Sequence, residues 1–322
     1  MNNIFYKMQD ILIYLFPFAD IQLKQSLLLV NKELSKLRFN DFIEDDISQH
    51  ILKHKGYLNI ELYNKIQDNI RDIQQYKNTF SINDIELYLS FHFSKDIDLT
   101  GLINLTSLSL LNDSLKTINL SSLINLQDIY LPNNKLRHIV LNDLTNLEEL
   151  QLSSNKLHNI DLTGLISLKI LYIDSNKLKD INLVDLKELR KLDISHNQLQ
   201  NINLTGLVNL QSLVISHNQL TNIDLTDLIN LTELDVSNNE LQNIDLSTVK
   251  NLNYLNVSNN ELQNINLSTV KNLDNLNVSK NKIRNIDLTP LECLLYLDIS
   301  ETLIQNINTS DILYLNSFIP NY

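Results

Sequence analysis

An asparagine returns every 21 residues along most of this chain, at Asn134, Asn155, Asn176, Asn197, Asn218, Asn239, Asn260 and Asn281. Asp113 and Thr302 hold the same phase at either end. So short a period leaves few folding options, because one unit cannot bury an apolar edge alone and gains stability only by stacking on its neighbours. Around Asn239 the unit carries Leu231, Leu234, Val236, Leu241, Ile244, Leu246 and Val249. Leu231-x-x-Leu234-x-Val236 ends in alternation, which predicts a short strand with its apolar side chains turned inward. After the asparagine, Leu241-x-x-Ile244-x-Leu246 leaves too few residues for a helix of about ten to twelve plus its turns. The return path is therefore expected to be extended or 3₁₀.

The asparagine interrupts an apolar run, and a buried amide is costly unless its donors and acceptor are satisfied. Repetition in every unit solves this, because each side chain can bond the loop backbone of adjacent coils as a ladder. The pattern L-x-x-L-x-V-x-x-N-x-L-x-x-I-x-L-x-x-V-x-N resembles the leucine-rich repeat family, in its short 21-residue class, from Leu105 to near Tyr314. A degenerate turn precedes it at Leu87, Leu89, Ile97 and Leu99. The expected fold is an α+β repeat: a leucine-rich-repeat solenoid with a parallel β-sheet, a mostly non-helical convex side and an N-terminal α-helical cap domain. In numbers, 1–80 would be the helical domain, 81–314 the solenoid and 315–322 a C-terminal cap, with Tyr314, Phe318, Ile319 and Tyr322 as an apolar lid on the last coil.

Residues 1 to about 80 lack the period and read as helices, with Asp20 as a candidate N-cap and Gly56 as a candidate stop. Ile11-Leu12-Ile13-Tyr14-Leu15-Phe16-Pro17-Phe18-Ala19-Asp20-Ile21, followed by Leu27 to Leu34, resembles an F-box. Leu15, Pro17, Asp20, Ile21, Val30, Asn31 and Lys32 match that motif; Lys7-Met8 stands where it opens with Leu-Pro, and Leu34 replaces its Trp. The resemblance implies docking of this segment, through Leu15, Pro17, Asp20, Ile21, Val30 and Lys32, onto a Skp1-like adaptor while the repeats hold a substrate for ubiquitination. The alternative is a plain amphipathic cap that shields the first coil. The abundance of Asn, Ile and Lys resembles proteins of AT-rich genomes, such as large amoebal DNA viruses or protists.

With 26 Lys+Arg against 38 Asp+Glu, the net charge is -12, and the long-range field repels phosphate backbones and anionic lipid. Neither nucleic acid nor membrane is an expected partner. One cysteine, Cys293, excludes an intramolecular disulfide; flanked by Leu291 and Leu294, it is expected to be a buried thiol. Ile11 to Ala19 is a poor signal peptide, since Asp10 precedes it and Pro17 and Asp20 crowd the cleavage site. The expected location is cytoplasmic, in the host if the source is viral.

Outward strand positions line up across stacked units and form a ready binding surface. One row runs Tyr130, Gln151, Tyr172, Asp193, Val214, Asp235, Asn256, and the row two residues earlier runs Asp128, Glu149, Ile170, Lys191, Ser212, Glu233, Tyr254. Tyr130, Ile170, Tyr172, Val214 and Tyr254 place aromatic or apolar groups where solvent is expected, beside Asp193, Glu233 and Asp235. That combination points to a protein ligand on the concave face. His196 and His217 share one phase in adjacent units, but a divalent metal needs a third ligand and their column offers only Ser175 and Asn238, so no metal site is expected. Asp161, Asp224, Asp245 and Asp287 alternate with Asn203 and Asn266 at one phase, which argues for loop hydrogen bonding over acid–base chemistry. No serine of the ladder Ser195 to Ser300 has a separate His-Asp set, so no catalytic residue and no cofactor is expected.

Overall fold

The structure is a computed structural model that describes residues 85–89, 99, 103, 105–110, 115–305, 307 and 315–320. The helical cap and the F-box-like residues Leu15, Pro17, Asp20, Ile21, Val30 and Lys32 lie outside the described residues, as do Tyr314 and Tyr322. The chain divides into two compact units, Met1–Val140 and Leu141–Tyr322.

In the first unit, β1 (Ile85–Leu89), β2 (Leu105–Leu110) and β4 (Asp128–Tyr130) pair in parallel, and β3 (Thr117–Asn119) pairs separately with β5 (His138–Val140). The second unit carries β6 (Glu149–Gln151), β7 (Ile170–Tyr172), β8 (Lys191–Asp193), β9 (Ser212–Val214), β10 (Glu233–Asp235), β11 (Tyr254–Asn256), β12 (Asn275–Asn277), β13 (Tyr296–Asp298) and β14 (Ser317–Ile319). Each of these pairs in parallel with the next, and from β6 to β14 the partners stand 21 residues apart, as in Leu213↔Leu234↔Leu255. The sequence period is thus the sheet register.

From β6 to β13 each strand is only three residues long and buries its middle leucine. The remaining core comes from the turns. Leu228 donates its N–H to the Leu225 carbonyl at 3.0 Å and Leu231 to that of Leu228 at 3.1 Å, and the same pair of three-residue turns recurs at Leu204–Leu210 and Leu183–Leu189. Successive turns of this kind eclipse every third side chain, so L-x-x-L-x-x-L aims all three leucines inward. Leu225, Leu228, Leu231, Leu234, Val236 and Leu241 are each at most 3% exposed. At about 1.5–3 kcal/mol per buried aliphatic side chain, one coil contributes on the order of 10 kcal/mol of transfer free energy before chain entropy opposes it. No helix occurs among the described residues. Ile244 is half-buried, whereas Leu241, Leu246 and Val249 of the same unit are buried.

The asparagine column is wired in the same way at every rung. In Asn197, Nδ2 donates to the carbonyls of Ile173 in the preceding coil and of Ile194 and Ser195 in its own, each at 3.1 Å. Its Oδ1 accepts from the Leu178 N–H at 2.9 Å. Asn176, Asn218, Asn239, Asn260 and Asn281 repeat these bonds. Asn155 donates to Leu152 and Ser153. Asn134, the first rung described, donates to Leu110, Leu131 and Pro132, and its Oδ1 is buried without an acceptor bond.

The residue before each rung has a left-handed backbone. Ser175, His196, His217, Asn238, Asn259, Lys280 and Glu301 have φ between 52° and 56°. That conformation points the N–H at the next coil, as His196 N to Ser216 O at 2.9 Å and His217 N to Ser237 O at 3.0 Å, and so carries the parallel ladder around the corner. Asparagine tolerates this backbone better than lysine or glutamate does.

One expectation is corrected. Cys293 is exposed, because it occupies the phase of Asn209, Asn230 and Asn251, whose amides donate outward to the carbonyls of Lys187, Val208 and Ile229. Its neighbours Leu291 and Leu294 hold the inward turn positions and are buried. At the C-terminus, Phe318 and Ile319 belong to β14 and extend the sheet beside β13, where each keeps 37% of its surface exposed, while Tyr314 and Tyr322 of the expected lid lie outside the described residues.

Candidate functional site

The outward face of the second unit is two straight rows of side chains, because parallel pairing in fixed register superimposes equivalent residues about 4.8 Å apart. The first row runs Gln151, Tyr172, Asp193, Val214, Asp235, Asn256, Asn277, Asp298, and the second Glu149, Ile170, Lys191, Ser212, Glu233, Tyr254, Asn275, Tyr296. Ile170, Tyr172, Asp193, Val214, Asp235 and Tyr254 are half-buried there, while Glu233 is exposed. Tyr130 holds the equivalent register position on β4 of the first unit and is also half-buried. In the second unit the named residues therefore sit side by side on the strands, with Tyr172 next to Asp193 and Glu233 next to Tyr254.

The acidic positions divide by what they bond. Asp193 Oδ1 accepts from the Ser195 N–H at 3.0 Å and its hydroxyl at 2.7 Å, which fixes the backbone just past the strand. Asp298 binds Ser300 in the same way, and Asn277 binds Ser279. Asp235 is engaged at both oxygens, by the Ser237 N–H at 2.9 Å and by Asn256 Nδ2 at 3.0 Å. Glu233 has no such local bond and remains free to meet a partner. Sequence reasoning gave these aspartates a ligand role alone; the Asp-x-Ser spacing that reveals their turn-forming role was legible in the chain.

Burial pushes the Asp193 carboxyl above its ordinary value, the Ser195 bonds oppose this, and the Asp174 and Asp235 carboxylates push it further up. Burial and the nearby Asp235 likewise raise the Tyr254 phenol, and burial followed by Asp298 raises that of Tyr296. Asp161, Asp224 and Asp287 on the far turns are fully exposed and lowered, each by bonds from the threonine two residues on. They cap turns, as their interchange with asparagine predicts.

His196 and His217 stack with ring centroids 4.0 Å apart and planes within 12°. Burial and the neighbouring His196 depress the His217 imidazole, and Asp235 partly offsets this. Among the described residues no group of three or more His, Cys, Asp or Glu side chains could hold a metal ion. An open polar depression lies among Gln200, Gln219, Thr221 and Glu240. No helix among the described residues is long and apolar enough to cross a membrane.

Residues 145–199 and 166–220 match one leucine-rich repeat model and residues 230–252 another. No curated protein sequence matches the chain. Among solved structures, the functional domain of InlJ from Listeria monocytogenes is similar at 26% identity and a TM-score of 0.68, covering 74% of this chain and 53% of that one. The chain thus spans about half the length of that domain. The leucine-rich repeat protein LIC12759 of Leptospira interrogans aligns at 27% identity and a TM-score of 0.70, over 78% of this chain and 69% of its own. TLR13, in its complex with ssRNA13, shares the fold at 21% identity and a TM-score of 0.60, over 82% of this chain and 49% of its own. The repeat region is a leucine-rich repeat solenoid.

Proposed function

We propose that this chain is a protein-binding module that takes its partner on the outward strand face of the second unit, with Ile170, Tyr172, Asp193, Val214, Glu233, Asp235 and Tyr254 as the contact set; Tyr130 is the equivalent candidate on the first unit. Leucine-rich repeat proteins generally serve as protein–protein interaction modules, and the fold is typically a non-enzymatic scaffold. The observation that carries the reading is the set of half-buried Ile170, Tyr172, Val214 and Tyr254 standing outward on a sheet that nothing covers among the described residues. Aromatic groups held rigidly on a strand lose little entropy on binding and contribute most of the affinity in protein interfaces. RNA, the ligand in the TLR13 complex, suits this face poorly, because Asp193, Glu233 and Asp235 would stand against phosphate.

Tyr172→Ala tests the proposal: partner capture should fall at least tenfold, about 1.4 kcal/mol, with the melting temperature nearly unchanged. A variant that melts early and binds normally would assign the tyrosine to packing.

A second reading is favoured by the match of Leu15, Pro17, Asp20, Ile21, Val30 and Lys32 to an F-box pattern. In it the chain is a substrate-recognition adaptor of a Skp1-cullin-F-box type ubiquitin ligase in the cytoplasm. Co-purification with Skp1 decides between this and a stand-alone scaffold: no Skp1 bound by the full chain at micromolar concentration leaves the scaffold alone.

A further inference from the structure

We infer that the partner presents a cationic, arginine-bearing polypeptide segment to β7–β11 of the second unit; this inference rests on the strand face being the binding surface. Charge complementarity carries it. Across these five strands the outward rows and the turn that follows them hold Asp174, Asp193, Glu233 and Asp235 against one lysine, Lys191. Ion pairs among the described residues include Lys169–Glu148, Lys280–Glu301 and Lys282–Glu261, and none of these involves those four carboxylates. Each of these three pairs joins a lysine to a carboxylate one coil away, while the strand face holds like charges together.

The arrangement costs the free protein something, because like charges a strand or two apart repel one another and Asp193 is also partly desolvated. A guanidinium on the face would relieve that repulsion. Arginine fits better than lysine for a geometric reason. Asp193 commits Oδ1 to Ser195 and keeps its second oxygen free, and Glu233 is free at both. A planar fork can meet Glu233 bidentately while its face lies on the ring of Tyr254, the register neighbour of Glu233. Val214 and Ile170 between the charges supply apolar contact for the segment's own non-polar side chains.

The test selects peptides from a displayed library of random dodecamers with the full chain at about 0.15 M salt, and repeats the selection with the double variant Asp193→Asn/Glu233→Gln. The amide oxygen introduced by Asp193→Asn keeps an acceptor for Ser195, as Asn277 does for Ser279, so the turn past the strand is retained, and thermal melts of both proteins verify it. The expected result is enrichment of peptides with two or more basic residues, arginine over lysine. The double variant should bind the selected peptides at least tenfold more weakly, and raising salt to about 0.5 M should weaken the wild type alone. Neutral or acidic winners whose capture is lost in Tyr172→Ala would overturn the cationic inference and leave the strand face as the site. Basic winners that bind the charge variant and Tyr172→Ala as well as the wild type would overturn both, and no enrichment over the charge variant would overturn the inference.

Discussion

Replacing one rung of the asparagine ladder should harm this fold far more than its small side chain suggests. Asn218 donates to the carbonyls of Ile194, Ile215 and Ser216 at 3.1–3.3 Å and accepts from the Leu199 N–H at 3.0 Å. The Ile194 and Ile215 carbonyls also receive Asn197 and Asn239, so in Asn218→Ala they keep a partner. The Leu199 N–H does not. An orphaned buried donor costs about 1–3 kcal/mol, and the two amide N–H groups lost, shared among three carbonyls, add roughly 1 kcal/mol each, so Asn218→Ala should destabilise its neighbourhood by about 3–5 kcal/mol. Asn230→Ala is the internal control, since Asn230 makes one exposed bond to Val208 O and its loss should cost under about 1 kcal/mol. Because stacked repeats open locally as well as globally, hydrogen exchange resolved by peptide is the assay, with urea unfolding beside it. Protection should fall over residues 192–220 in Asn218→Ala and hardly at all in Asn230→Ala. Equal, small effects for the two would refute the claim that a buried orphan donor makes the difference. Asn218→Asp sharpens the point: it keeps the acceptor for Leu199 but turns a carboxylate oxygen on three carbonyls, so it should destabilise at pH 7 and recover partly in acid as the group protonates.

Three further outcomes follow from the geometry. His217 is depressed in the folded protein, so the unfolded chain takes up its proton first; stability should fall as pH drops below the ordinary histidine value, and His217→Ser, the residue its column carries at Ser175, should flatten that part of a pH–melting curve. The turn aspartates Asp161, Asp224 and Asp287 are lowered instead, so their contribution is present above the ordinary carboxylate value and lost below it; in Asp224→Asn the acid-limb decline in melting temperature should be shallower. Lys280→Asn, at φ 53°, should stabilise the protein by about 0.5–1 kcal/mol in urea titration, since asparagine accepts a left-handed backbone that lysine resists and the Glu301 pair it removes is exposed.

The repeat was legible because one 21-residue spacing determines strand register, core and ladder together: once Leu234, Val236 and Asn239 are in phase, nothing else can lie beside Leu213 or Leu255. The half-burial of Ile244 follows from its place between two inward leucines at a corner, a matter of backbone curvature that alternation does not encode. Cys293 was misread from its leucine neighbours. In a coil built of three-residue turns, adjacent residues face different ways, and the column, with Asn251 two units upstream, is the better guide. The outward rows were legible as positions. Their chemistry was only partly so, because the same Asp193 proposed to meet a ligand also caps Ser195, and a pattern of residue types cannot divide two oxygens between two roles.

Photo-crosslinking from the strand face tests the central claim most directly. The full chain carrying p-benzoylphenylalanine in place of Tyr172 is irradiated in extract of the source cells, beside a chain carrying it in place of Gln219 on the far turns. A discrete protein adduct at position 172, absent at 219 and displaced by excess unlabelled wild-type chain, is the result the account predicts. Adducts formed only at position 219, or a crosslink at position 172 to nucleic acid, would contradict it.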